Sequence, residues 1–519
     1  MHMTKRYFIY IILIILLLVF GFDKSNNDPF SKFKTLTQVI RLVQEGYFED
    51  FNMNEALEGA IKGFLETLDP HSQYINSEEL EDITEQFDGK FEGIGIEYSM
   101  LDGYITVISP IPETPSERAG LQSGDKIVKI NNESAYKIST KDVFKKLRGK
   151  KGSEVSVHIL RADEEPFEVI LIRDQIPIKS VISNFIINDS IGYIKINRFA
   201  NKTHNELMDA LSNLESNGMK QLILDLRNNG GGLLNQAVKM VDTFVNSNDT
   251  IVYTKGNLRN ANEVYYAHKS SYDKQYKLIV LINNGSASAS EIVSGALQDL
   301  DRGTIIGERS FGKGLVQRQY ELSDGSAARI TIAQYFTPSG RLIQRSYDKG
   351  IGDYYSDKSI EDSSLIDTTI YFTKKGRTVY GGGGIWPDLN VEYSKPYIDY
   401  LKNDIRINSK RPIFKYASTI KDNIKNKYEN EDVYFNYVSN YIISANNINN
   451  DFSIEKFSAW LVKQEIQYKE ANISRDWDYI KIDIFAEIGS AIWGKNISYK
   501  IKSLHDEQIL KAIEYLNND

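Results

Sequence analysis

The chain contains no cysteine. A thiol nucleophile, a disulfide framework and a thiolate zinc site are therefore excluded, and cysteine usage carries no information on redox compartment. Histidine is scarce, with six in 519 residues. His71, His204 and His268 do not fall in contexts that mark a Ser-His-Asp arrangement, and there is no G-x-S-x-G elbow. No H-E-x-x-H or carboxylate–histidine cluster occurs, so a metal site lacks support and no cofactor is expected. Beyond the first few residues there is no long basic run, and a net charge of −8 argues against nucleic acid as partner.

What is present is a globular composition, 41% hydrophobic and 25% charged, in a chain long enough for about two to four domains. Lys5 and Arg6 precede an uncharged apolar run from Tyr7 to Phe22 that ends at Asp23. The run is near the lower length limit for a spanning helix. Its basic flank is expected to stay cytoplasmic, with the rest of the chain outside. No small-x-small cleavage site follows, which favours an uncleaved signal anchor over a cleaved signal peptide.

Phe33, Leu36, Ile40, Val43 and Tyr47 recur at helical spacing, as do Leu57, Ile61, Phe64 and Leu68 up to Asp69-Pro70. Ser77 reads as the cap of a third helix ending near Phe87. From Gly89 to about Pro177 short strands and glycine turns alternate. Here Gly93-Ile94-Gly95-Ile96 resembles the carboxylate-binding loop of a PDZ domain, and Ala119-Gly120-Leu121-Gln122-Ser123-Gly124-Asp125 its helix–turn signature. Successive N–H groups in such a loop can hold a C-terminal carboxylate while the neighbouring strand edge pairs with an extended peptide. The plainer reading is a glycine-rich turn in a small β domain.

Farther on, strand–turn–helix units follow one another. Gln221 to Leu226 runs into Arg227-Asn228-Asn229-Gly230-Gly231-Gly232 and a helix, and Lys277 to Asn283 repeats the scheme. Serial units of this kind predict a parallel α/β layer whose functional turns share one edge. Beyond Pro396 the chain is mostly helical, with no functional signal.

The second turn, Asn284-Gly285-Ser286-Ala287-Ser288-Ala289-Ser290-Glu291, sets small hydroxyl residues where strand becomes helix. Phe311-Gly312-Lys313-Gly314 places a lysine between glycines, with Phe311, Leu315 and Val316 available to exclude water. A buried lysine loses its proton more easily and can then activate a serine hydroxyl. Gln317 is positioned to hydrogen-bond the amine. Asp225 or Glu291 nearby would oppose the effect by favouring the ammonium, so neither is expected to contact Lys313 directly. Ala289 N–H at the helix start and an N–H of the glycine turn, Gly231 to within one residue, are candidate oxyanion donors. On physics alone Ser286 and Ser290 rival Ser288, and Ser288-x-x-Glu291 also fits a structural capping box. Gly307 to Lys313 approaches a phosphate-binding loop but lacks the hydroxyl residue after the lysine, and a strand rather than a helix follows.

Taken in order and spacing, these segments resemble the carboxyl-terminal processing (tail-specific) serine peptidases from about Phe33 to Val391. Leu68-Asp69-Pro70-His71-Ser72 and Gly383-Gly384-Ile385-x-Pro387-Asp388 add to the match. The resemblance implies an α/β protease core, crotonase/ClpP-like, with an inserted PDZ domain, an N-terminal helical segment and a C-terminal helical tail. The implied boundaries are 1–23 signal anchor, 24–88 helical segment, 89–177 PDZ domain, 178–394 protease core and 395–519 helical region. It implies Ser288 as nucleophile, Lys313 as base and Gln317 as its support. Gly231 and Ala289 match the oxyanion hole, and Gly93, Ile94, Gly95 and Ile96 the substrate-tail loop. Arg148 is a candidate gating contact to the core, the alternative being an ordinary helix-end arginine. Expected partners are proteins with apolar unstructured C-termini and a bacterial inner membrane, with the catalytic part extracytoplasmic; a homodimer stays open. A non-catalytic PDZ adaptor that binds C-terminal tails is the alternative function.

Overall fold

The computed structural model describes residues 29–161, 164–188, 190–268, 275–348, 350–355, 369–393, 411–443 and 452–518. The apolar run at 7–22 lies outside them, and among the described residues no helix is long and apolar enough to cross a membrane. The chain divides into two compact units after Phe64. Helix Pro29–Gly46, in the first, and helix Met53–Glu66, most of which lies in it, carry the two helical periodicities.

The second unit is built on a six-stranded sheet ordered Val181–Ile186, Ile191–Ile196, Gln221–Asp225, Lys277–Ile282, Thr304–Gly307, Leu389–Asn390. The first pair is antiparallel and the remaining pairs are parallel. A parallel sheet must be covered on both faces, and successive residues of a strand point to opposite ones. Leu222, Leu224, Leu278, Val280 and Ile282 therefore share one core with helices Thr203–Ser216, Leu234–Asp242 and Ala289–Asp299. Ile223, Ile279, Leu281 and Ile306 face the other way, against Ile509, Ala512 and Leu516 of the last helix, Glu507–Asn518. The last helix is thus a structural layer of the α/β core.

A five-stranded antiparallel sheet adjoins this layer. Its strand Ala327–Phe336 pairs with Gln73–Ile75, Thr250–Gly256 and Leu315–Glu321. Residues 90–177 form a separate small β domain. Its sheet is ordered Ile96–Leu101, Tyr104–Pro110, Lys126–Ile130, Glu154–Leu160, Phe167–Ile172. Lys90–Gly93 and Asp174–Pro177 pair antiparallel, which holds its entry and exit together. Helices between Pro412 and Ser503 pack around a core of their own that includes Tyr434, Phe457, Ile480 and Phe485.

One expectation changes in detail. The cap of helix Ser77–Asp88 is Asn76, whose Oδ1 accepts from Glu79 N–H at 2.9 Å, so the cap precedes Ser77. Short strands at Gln73–Ile75, Val181–Ile186 and Thr250–Gly256 have no strong alternation in sequence and are fixed by tertiary pairing.

Leu516→Ala removes a side chain wedged between the last helix and the sheet. It is expected to cost about 2–4 kcal/mol in denaturant unfolding of the whole chain. A loss below about 0.5 kcal/mol would mean that the last helix is not part of this core.

Candidate active site

Parallel register brings the special turns together. Asp225 lies beside Leu281, and Ile282 beside Gly307, so the loops that follow all three strands leave the sheet on one edge. Asn228 and Asn283 join the first two loops: Asn228 N–H donates to Asn283 Oδ1 at 2.8 Å, and Asn283 Nδ2 to Asn228 Oδ1 at 3.0 Å.

Ser288 ends its turn at φ 55° and ψ −111°. A residue with a Cβ adopts such a conformation at a cost of about 1–3 kcal/mol, and strain of this kind clusters at functional sites. Its two rivals are committed elsewhere. Ser286 is fully buried and donates to Leu226 O at 2.8 Å; Ser290 is fully buried and donates to Asn229 O at 2.8 Å. Ser288 stays partly open to solvent.

Glu291 organises the site. Its carboxylate is fully buried and has no cation as hydrogen-bonding partner among the described residues. One oxygen, Oε2, accepts from Ser288 N–H at 2.7 Å and Lys313 N–H at 2.9 Å. The other, Oε1, accepts from Gly312 N–H at 2.7 Å and the Ser310 hydroxyl at 2.5 Å. The serine turn and the lysine loop are thereby stapled to one side chain. Burial raises Glu291 to about 7, while these donors pull the other way. Tyr335 adds a second link, its hydroxyl lying 3.1 Å from Ser288 O and 2.7 Å from Lys313 O.

Burial brings the Lys313 amine down to about 8, with Arg329 acting in the same direction against Glu291 and Asp69. The expectation that Glu291 would avoid Lys313 needs correcting. Glu291 touches the backbone N–H of Lys313, not its amine, so its charge opposes deprotonation without forming an ion pair. Among the described residues Lys313 Nζ makes no hydrogen bond, either to Ser288 or to Gln317. Gln317 follows a register shift after Val316 and reaches Thr331 Oγ1 at 3.5 Å. Thr331 in turn donates to Asp69 at 3.0 Å.

His71 also belongs to this neighbourhood, contrary to its plain sequence setting. Burial, then the charge of Lys313, lowers it to about 4, against Asp69. Its Nε2 is 2.9 Å from the Tyr354 hydroxyl. Asp69 accepts the His71 and Ser72 N–H groups and the Ser72 hydroxyl, folding the Asp-Pro-His-Ser segment beside strand Ala327–Phe336.

The glycine loop approaches the serine turn as only glycine could. A Cβ on Gly231, which has φ 98°, would lie 2.7 Å from Ala287 O and 2.9 Å from Ala289 N. Ala289 is the first residue of its helix, where the N–H has no partner within the helix. Gly231 N–H donates to Asn229 Oδ1 at 2.9 Å, so that donor is engaged within its own loop. Asn229 is fully buried, and its carbonyl accepts Ala287 N–H at 3.0 Å. At the base of the loop, burial disfavours ionised Asp225, but Arg227 and Lys195 hold its carboxyl well below the usual range. Asp225 makes no contact with Lys313; its cations are these two.

In the small β domain, the Ile94 carbonyl accepts from Ser116, and that of Gly95 from Ile111 and Thr114. A cavity of about 50 Å³ lies between this loop and helix Thr140–Leu147, bounded by Phe91, Tyr98, Phe144 and Arg148. The Arg148 guanidinium lies over the Phe91 and Phe144 rings and pairs with Asp82 at 2.7 Å and Glu85 at 2.6 Å. Both acids sit on helix Ser77–Asp88, outside the small domain.

Residues 190–355 match peptidase family S41, residues 106–161 a PDZ domain, and residues 21–79 the activating protease CtpB N-terminal domain. The carboxy-terminal-processing protease of Bartonella bacilliformis is 37% identical over 336 residues, covering 63% of this chain and 77% of that protein. The chain belongs to the carboxy-terminal-processing proteases. The carboxy-terminal processing protease CtpA of Bacillus subtilis is 36% identical over 63% of this chain and 70% of its own length. A CtpA-like serine protease of Staphylococcus saprophyticus is 33% identical over 79% of this chain and 80% of its own. Membership makes this chain a serine-type protease with an inserted PDZ domain and sets the adaptor alternative aside.

Sequence reasoning missed Asn229, Tyr335 and the use made of Glu291. The S-x-x-E spacing was the available signal for Glu291: the carboxylate does reach back to the cap N–H, but it reaches across to the lysine loop as well. Glu291→Gln leaves one acceptor oxygen for four donors. It is expected to lower unfolding stability by about 2–4 kcal/mol, read from denaturant unfolding. A change under about 1 kcal/mol would contradict the staple.

Proposed function

We propose that this protein is an endopeptidase that cuts proteins near their C-termini through an acyl-enzyme on Ser288, with Lys313 as general base. The observation that carries the reading is the Glu291 staple, which ties a strained, partly open serine to a glycine-flanked lysine whose amine is brought down to about 8. Neutral Lys313 takes the Ser288 hydroxyl proton as Oγ bonds to the scissile carbonyl carbon. The tetrahedral oxyanion is met by Ala289 N–H and by Gly231 N–H, the latter after release from Asn229. Collapse breaks the C–N bond, and the ammonium returns the proton to the leaving amine. Water, activated in the same way, frees the acyl group. Gln317 supports the lysine side of the site through Thr331. The resting site lacks a Ser288–Lys313 hydrogen bond, and catalytic contacts commonly tighten only when substrate is bound.

The Gly93–Ile96 loop is assigned to the substrate's terminal carboxylate, and the open edge of strand Ile96–Leu101 to its apolar tail. At about 50 Å³ the adjoining cavity admits little, so tail entry requires Arg148 and the two rings beneath it to move. Because Arg148 pairs with Asp82 and Glu85, that movement is felt outside the PDZ domain, which supports a gating role. The apolar run at 7–22 supports anchoring at a bacterial inner membrane with the protease extracytoplasmic.

Ser288→Ala and Lys313→Ala should each lower cleavage of an unfolded reporter with an apolar tail by at least about 10³-fold; substantial retained cleavage in either rejects the roles. Since the base acts unprotonated, kcat/KM should rise with pH and level off above about 8. A profile flat from pH 6 to 9 contradicts a lysine base. Arg148→Ala should alter KM for tailed proteins while leaving a short peptide unaffected. Equal effects on both would remove it from tail recognition.

A further inference from the structure

The glycine loop is held from below by a residue of the C-terminal helical region. Arg227 opens that loop, and its guanidinium is shared between two carboxylates. Nε and Nη2 meet Asp225, with Nη2–Oδ2 at 2.6 Å, while Nη1 meets Asp506 at 2.8 and 2.9 Å and Gln508 Oε1 at 2.9 Å. Lys195 Nζ donates to Asp225 at 2.8 Å and to the Arg227 carbonyl at 2.6 Å, and the Tyr193 hydroxyl donates to Asp225 at 2.7 Å. The cluster contains two cations and two carboxylates; Lys195, Asp225 and Arg227 are buried, and Asp506 lies partly exposed at its rim. Without Asp506 it holds one uncompensated positive charge, and a buried charge that loses its partner reorganises or draws in water. The only chain segment between this cluster and the Gly230–Gly232 approach to Ser288 is Asn228-Asn229.

We propose that Asp506 is a positioning residue for the glycine loop, through which the C-terminal helical region sets the oxyanion side of the active site. Its consequence for turnover rests on the acyl-transfer reading above; its consequence for the loop does not. Asp506 also caps the last helix, accepting Gln508 N–H at 3.1 Å and Ile509 N–H at 3.0 Å. A test must separate this structural task from positioning. Asp506→Ser retains a favourable N-cap but is too short to pair with Arg227. Asp506→Asn keeps a capping oxygen but loses the charge and one acceptor for Arg227, and serves if the serine variant folds poorly. Glu514→Ala, on the exposed face of the same helix and paired among the described residues with Lys511 alone, is the control.

The experiment uses the full chain and two readouts. Hydrogen-exchange mass spectrometry should show about tenfold faster exchange over Asn228–Leu233, with helix Glu507–Asn518 unchanged. Cleavage of the tailed reporter should lose about ten- to a hundredfold in kcat with KM within about twofold, as expected for slight misplacement of a transition-state contact. The control should match the parent in both. Unchanged loop exchange in both variants overturns the proposal, as does accelerated exchange confined to the last helix. Accelerated loop exchange in the variants, with a parent chain that shows no Ser288-dependent cleavage, would leave the positioning role intact and refute the acyl-transfer reading instead.

Discussion

The carboxylate of Glu291, buried between two loops, is the interaction on which the site depends. Neither the serine turn nor the lysine loop is regular structure, and each exposes backbone N–H groups that need acceptors. Glu291 supplies acceptors to both, so the separation of Ser288 and Lys313 is set by the dimensions of one side chain rather than by the independent settling of two loops. Ser310, itself an acceptor for Ile385 N–H at 2.6 Å, extends the frame to the Gly383-Gly384 turn.

The same arrangement resolves an electrostatic conflict. A carboxylate beside the Lys313 amine would hold it as ammonium. Glu291 meets three backbone N–H groups and the Ser310 hydroxyl instead, and burial and the Arg329 charge press the amine toward the neutral form against the charges of Glu291 and Asp69. His71 is kept neutral near neutral pH by the same burial and by Lys313. The water-poor environment that weakens the ammonium is also what makes oriented N–H donors effective toward a developing oxyanion.

Much of the fold was legible in the sequence because parallel strands buried on both faces read as continuous apolar runs, as Gln221–Asp225 and Lys277–Ile282 do. The turn sequences after them carry their glycine and serine signals openly. The partners that hold those turns were not legible. Asn229 and Tyr335 act across loops that are distant in the chain, and such contacts leave no periodicity. The Asp-Pro-His-Ser segment read as a helix stop and a family motif, and pairing of Gln73–Ile75 with Ala327–Phe336, with the Thr331–Asp69 hydrogen bond, carries it to the lysine. Gln317 shows how little spacing alone fixes: it lies four residues after Lys313, but beyond the register shift at Val316 its side chain reaches Thr331 rather than the amine. The last helix looked featureless because half of its meaning, the covering of Ile223, Ile279 and Leu281, belongs to strands some 230–290 residues earlier.

Direct observation of the Lys313 amine tests the account most closely. In full-length protein with ¹⁵N-labelled lysine side chains, the Nζ resonance assigned by its loss in Lys313→Arg should titrate with a midpoint near 8. A resonance that keeps the chemical shift of an ammonium beyond pH 10 would show that the site does not weaken the proton on Lys313, and the proposed base would have to be abandoned.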